Sequence, residues 1–195
     1  RGPLTVAVTV HGFVPPGLAL VRSGARPGDA VLVTGTLGDA AAGLATLRAG
    51  EPDNALLARL NRPEPRLAAG LALRGVATAC IDVSDGLLAD LGHICAQSGV
   101  GAELDAAQLP LSPALHRVAG PEAAREFALS GGDDYELCFT VPAAKLAEVQ
   151  ADLARLGSGA TRIGRIVEGR GVRVRGVDGG WMELAHRGWD HFGHA

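Results

Sequence analysis

The run "AVLVTG", residues 30–35, sets the first limit on the fold. Four apolar residues in succession leave a strand with no polar face, so the sheet that holds it must be covered on both sides. "VATACID" (76–82) is a second buried strand, and "GVGAELD" (99–105) reads as a third. In 135–141, Tyr135, Leu137 and Phe139 alternate with Glu136 and Cys138, which predicts another strand. "LTVAVTV" (4–10) alternates in the same way and predicts a strand that turns through "HGFVPPG". The covering layers come from helical stretches. Asp39 can cap an alanine-rich helix ending near Gly50, and 54–74 is helical in composition with "NRPEPR" as a break. "PEAAREFALS" and residues 143–156 are helical too, the latter with Leu146, Val149, Leu153 and Leu156 on one face. "GRGVRVRGVDGG" looks like a hairpin. Strands and helices are interspersed without a strict βαβ rhythm, which predicts an α+β fold with a mixed sheet and packed helices. A length of 195 residues with 47% apolar content suffices for such a core.

"IDVSDGLLADLGHI" (81–94) joins the second strand to a helix. Leu87, Leu88, Leu91, Ile94 and Cys95 recur at helical spacing, with Asp90, His93 and Gln97 on the other side. A cap explains Ser84 or Asp85. It does not also explain Asp82, since two carboxylates three residues apart repel one another unless a cation lies between them. Such oxygen donors suit Mg²⁺, which takes one or two protein carboxylates and completes its shell with water and phosphate. Cap and metal site are both open at this point. "SGGDDYELCF" (130–139) places Asp133, Asp134 and Glu136 after two glycines, as an acidic turn or a ligand loop. Arg22 in "VRSGARPGD" is a surface charge or a phosphate contact, and "GTLGD" lacks the lysine of a P-loop. Trp189 in "HRGWDHF" either anchors the chain end or faces a cationic heteroaromatic ligand; His186 and His191 are not spaced as a zinc site.

The formal net charge of −3 provides no broad basic field for nucleic acid. No apolar run nears the ~20 residues of a membrane helix, and no leader is visible, so a soluble cytoplasmic protein is expected. Cys80, Cys95 and Cys138 stand in apolar context and read as buried free thiols. The chain opens Arg1-Gly2-Pro3 and its only methionine is Met182, from which a piece of a longer chain is expected.

Six segments in order, "HGFVPPG", "RSGARPGD", "VTGTLGDAAAGL", "IDVSDGLLADLGHI", "LSGGDDYELCFTV" and "GWDHF", together resemble the bacterial thiamine-monophosphate kinases, within the superfamily of aminoimidazole ribonucleotide synthetase-like enzymes. The resemblance implies the C-terminal domain of that fold over 26–195, with 1–25 as a remnant of an N-terminal ATP-binding and dimerisation domain. It implies Mg²⁺-dependent transfer of the ATP γ-phosphoryl group to thiamine monophosphate, in a protein that is a homodimer at full length. Asp82 and Asp85 would be Mg²⁺ ligands, Ser84 and Arg22 would contact ATP, and Asp133 and Trp189 would contact the thiamine substrate. Asp133 falls where members commonly carry glutamate. An acidic "GDDAA"-like segment of the family has no counterpart here, which implies little activity for this chain alone. The rival readings are another ATP-using member, such as aminoimidazole ribonucleotide synthetase or selenide dikinase, and a non-catalytic binding or assembly module.

Overall fold

The computed structural model describes residues 4–183 and 188. Six strands form one sheet in the order β2-β4-β1-β5-β3-β6: β1 (Ala30–Val33), β2 (Ala79–Asp82), β3 (Gly101–Asp105), β4 (Leu137–Val141), β5 (Thr161–Val167) and β6 (Gly171–Arg175). All pairings are antiparallel except that of β3 with β6, so the sheet is mixed as expected. The helices are α1 (Asp39–Ala49), α2 (Asn54–Asn61), α3 (Leu67–Leu73), α4 (Leu87–Ser98), α5 (Pro113–Ser130) and α6 (Leu146–Arg155).

β1 is buried along its whole length and feeds both sides of the core. Val31 and Val33 pack with Leu87, Leu91 and Ile94 of α4 on one face. Ala30 and Leu32 pack with Leu73 of α3 and Val149 and Leu153 of α6 on the other. A smaller cluster of Ala42, Leu56, Leu115 and Ala124 joins α1, α2 and α5. The three cysteines are buried free thiols, and burial pushes Cys80 up to about 12 and Cys95 up to about 11. Such thiols stay protonated and inert at neutral pH.

Four expectations need correction. Residues 4–10 form no strand: the chain is irregular there, and Leu4, Val6, Val8 and Val10 are exposed. Alternation favours a strand only where a neighbour supplies ladder hydrogen bonds, and none of the described strands lies beside this segment. The hairpin expected over 169–180 is reduced to β6 and a tight reversal after it, where Arg175 bridges Trp181, Gly176 N–H donates to Gly180 O at 2.8 Å and Met182 N–H to Val174 O at 2.9 Å. Asp39 does not cap α1; the N-cap is Gly38, while Asp39 accepts hydrogen bonds from Thr36 Oγ1 at 2.7 Å and Ser112 Oγ at 2.6 Å. The strand predicted over 135–141 begins at Leu137 rather than Tyr135, because Tyr135 has a φ of 52° and leaves the extended region.

Candidate active site

Two loops at one end of the sheet bring most of the predicted site residues together. The first, 82–86, leaves the end of β2 and enters α4; the second, 131–136, leaves α5 and enters β4. Since β2 and β4 are paired, with Asp82 opposite Leu137, the loops emerge side by side. Their backbones continue the pairing: Val83 N–H donates to Glu136 O at 2.8 Å, Tyr135 N–H to Val83 O at 2.8 Å and Asp133 N–H to Ser84 O at 2.9 Å.

Glycine allows this approach. A Cβ on Gly132 would stand 2.4 Å from the Ser84 carbonyl oxygen, and one on Gly86, at φ 117°, would stand 2.7 Å from the Ser130 carbonyl oxygen. Both distances are far inside van der Waals contact. Gly132→Ala is therefore expected to force the loops apart and cost about 1–3 kcal/mol, read as a lower urea midpoint with an unchanged slope.

Asp82 is exposed and Asp85 half-buried, and Asp133 holds a φ of 66°, a left-handed conformation that is unusual for a non-glycine residue. Tyr135 stands among all three: its hydroxyl donates to Asp133 Oδ1 at 3.3 Å, and its pKa is raised by burial and then by the charges of Asp133, Asp82 and Asp85. It also lines, with Asp82, Arg66 and Leu71, a groove of about 780 Å³. Among the described residues no group of three or more His, Cys, Asp or Glu is arranged to hold a metal ion. Asp82 and Asp85 both lie on the first loop, three positions apart.

The cap reading of Ser84 and Asp85 is overturned. Gly86 is the N-cap of α4, without a side-chain cap hydrogen bond. Asp90, expected on the polar side of the helix, is buried, and its Oδ2 accepts from the N–H groups of Ser84, Asp85 and Gly86 at 3.0, 3.1 and 3.2 Å. Arg22 is exposed on a segment held to β2 and α4. Cys80 N–H donates to Val21 O, Ser98 Oγ–H to the Arg22 carbonyl, and Gly24 and Ala25 N–H to Ser98 Oγ. Trp189, His186 and His191 lie outside the described residues.

Sequence reasoning also missed what anchors the second loop. Glu136, 1% exposed, accepts from Arg66 Nε and Nη2 at 2.6 Å, Arg59 Nη2 at 2.7 Å and Thr34 Oγ1 at 2.6 Å. Burial alone would raise its pKa, but the bonds from Arg66, Thr34 and Arg59 outweigh burial and lower it. The arginines belong to α2 and to the "NRPEPR" break, so that break is a clamp on the loop and not only an interruption.

Asp134 is tied to the start of α1, its Oδ2 accepting Gly38 N–H at 2.7 Å, while Oδ1 is buried and has no hydrogen-bond partner among the described residues. Burial pushes its pKa up to about 7, against the pull of N–H groups from Gly38 and Ala40. An acid whose pKa is raised on folding holds its proton longer in the native state, so its contribution to stability declines as pH climbs from 3.8 to about 7. Asp134→Asn removes this titration. Its stability relative to wild type is expected to improve progressively across that window in urea melts, and a difference independent of pH would contradict the assignment.

A family model described as "AIR synthase related protein, C-terminal domain" matches residues 26–177, and the chain belongs to that family. Within it the chain is similar to thiamine-monophosphate kinases. It is 48% identical over 203 residues to the Escherichia coli (strain K12) thiamine-monophosphate kinase, an alignment covering 98% of this chain and 61% of that protein. The crystal structure of thiamine-monophosphate kinase from Stenotrophomonas maltophilia K279a superposes with a TM-score of 0.82 at 47% identity, over 88% of this chain and 56% of that one. AaThiL complexed with AMPPCP and TMP superposes with a TM-score of 0.73 at 38% identity, over 89% and 54%. The chain therefore spans between half and two thirds of the length of these relatives.

Proposed function

We propose that this chain supplies the C-terminal half of an ATP-dependent thiamine-monophosphate kinase, with residues 1–25 as the end of a preceding domain and the C-terminal domain from residue 26 onward. The observation that carries the reading is the backbone pairing of the two loops, which brings the segments of Asp82, Asp85 and Asp133 together beside a groove that Asp82 and Tyr135 line. The AMPPCP and TMP held by the AaThiL relative support nucleotide and thiamine monophosphate as ligands.

Donor and acceptor in this reaction are both phosphates, so positioning and charge neutralisation matter more than covalent chemistry. Asp82 and Asp85 would hold Mg²⁺, which when bound offsets the repulsion between the two phosphates. Ser84 and Arg22 would contact ATP. Asp133, fixed through its own N–H to Ser84 O, and Trp189 would orient the thiamine moiety, whose positive charge suits a carboxylate and an aromatic face. Transfer is direct and in line, without a phospho-enzyme. A cytoplasmic homodimer completes the proposal.

The test is turnover of thiamine monophosphate with ATP and Mg²⁺, measured for residues 1–195 and for a form that includes any chain preceding residue 1. Activity confined to the longer form is expected. No turnover by the longer form would sink the kinase reading, and full turnover by residues 1–195 would sink the assignment of an incomplete site.

A further inference from the structure

We propose that Asp90 is the positioning residue that holds Asp82, Asp85 and Asp133 in register with one another; its consequence for catalysis rests on the functional reading above. The geometry that carries this is the direction in which Asp90 reaches. A capping side chain takes the free N–H groups of the helix it caps. Asp90 is the fourth residue of α4, and it reaches back past the N-cap: besides the N–H of Gly86, which is an ordinary capping bond, it takes those of Ser84 and Asp85, which precede the helix. One oxygen atom thereby orients three consecutive peptide units of the loop that separates Asp82 from α4.

The constraint passes across to the second loop. The Ser84 carbonyl accepts the N–H of Asp133, and the Val83 carbonyl accepts that of Tyr135. Asp90 itself is 3% exposed, among Leu87, Leu91 and Ile94 of the core, so it acts on ligands only through the loops. The same burial makes it a reliable reference: α4 is fixed in the core, and the three N–H groups on Oδ2 offset part of the cost of placing a carboxyl there. Preorganisation of ligand-bearing loops depends on such supporting partners, whose loss typically costs 10–100-fold in metal affinity or activity.

Two variants test this, with Asp90→Asn keeping one acceptor oxygen and Asp90→Leu keeping only bulk. In the form that includes any chain preceding residue 1, Asp90→Leu is expected to raise the Mg²⁺ concentration for half-maximal turnover roughly 10–100-fold, with Asp90→Asn recovering most of the loss. In unliganded protein, amide exchange should quicken at Ser84, Asp85 and Gly86, and also at Asp133, which Asp90 does not touch. A lower melting temperature with unchanged Mg²⁺ half-saturation and unchanged Asp133 exchange would overturn the proposal. If wild type transfers no phosphate, the kinase reading falls, and Asp133 exchange alone decides: faster exchange supports the positioning role and unchanged exchange refutes it. If Asp90→Leu fails to fold, the same two measurements on Asp90→Asn decide, with intermediate shifts expected.

Discussion

Replacing Asp82 and Asp85 together with asparagine is expected to lower kcat for transfer to thiamine monophosphate roughly 10³-fold, in the form that includes any chain preceding residue 1. The size follows from the several kcal/mol that metal neutralisation of phosphate charge contributes, at about 1.4 kcal/mol per decade of rate. Asp82 is exposed, so the Asp82→Asn change by itself should alter the melting temperature little. The reading is a titration of rate against Mg²⁺ for both proteins. A double variant with normal rate and normal Mg²⁺ dependence would leave these acids as loop structure only.

Glu136→Ala should have the largest effect on stability. It strands Arg59 and Arg66, with side-chain exposures of only 24% and 12%, beside an empty space. Breaking a buried ion pair from one side costs about 3–5 kcal/mol, which for a chain of this size is roughly 6–20 °C in melting temperature. Removing Arg66 as well should add less than its single effect, since both changes act on one network. The pH dependence runs opposite to that of Asp134. A carboxyl whose pKa is lowered on folding contributes stability above its ordinary value of 4.5 and loses it as pH falls through the lower folded value. Wild type should therefore lose its advantage over Glu136→Ala in acid, and a gap in melting temperature that persists to the lowest pH would argue against the network.

β1 and β2 were legible because they are short, mainly apolar runs bounded by turns, and β3 also falls where "GVGAELD" places it. The site was legible as far as it lies in motifs. Asp82, Ser84, Asp85 and Asp133 come together because two paired strands deliver their loops to the same place, a relation that no local pattern encodes. What escaped were residues whose role depends on a distant partner. Asp90 looked like a solvated helix position because its spacing suits the polar face; the pull of three unpaired N–H groups turned it inward. Arg66 of "NRPEPR" looked incidental because its acceptor lies 70 residues away in sequence. Residues 4–10 erred the other way, with a strand pattern and no neighbouring strand among those described.

The strand order β2-β4-β1-β5-β3-β6 also has a kinetic side. No two strands adjacent in the sheet are consecutive in the chain, so among the described residues the sheet contains no hairpin to serve as a local nucleus. Every ladder must close a long segment of chain before it gains any pairing, and chains dominated by such contacts fold slowly for their stability. Refolding from urea should accordingly be slow for a chain this short. During that interval the apolar run of β1 is uncovered on both faces, and this is the stage at which the protein is most exposed to aggregation.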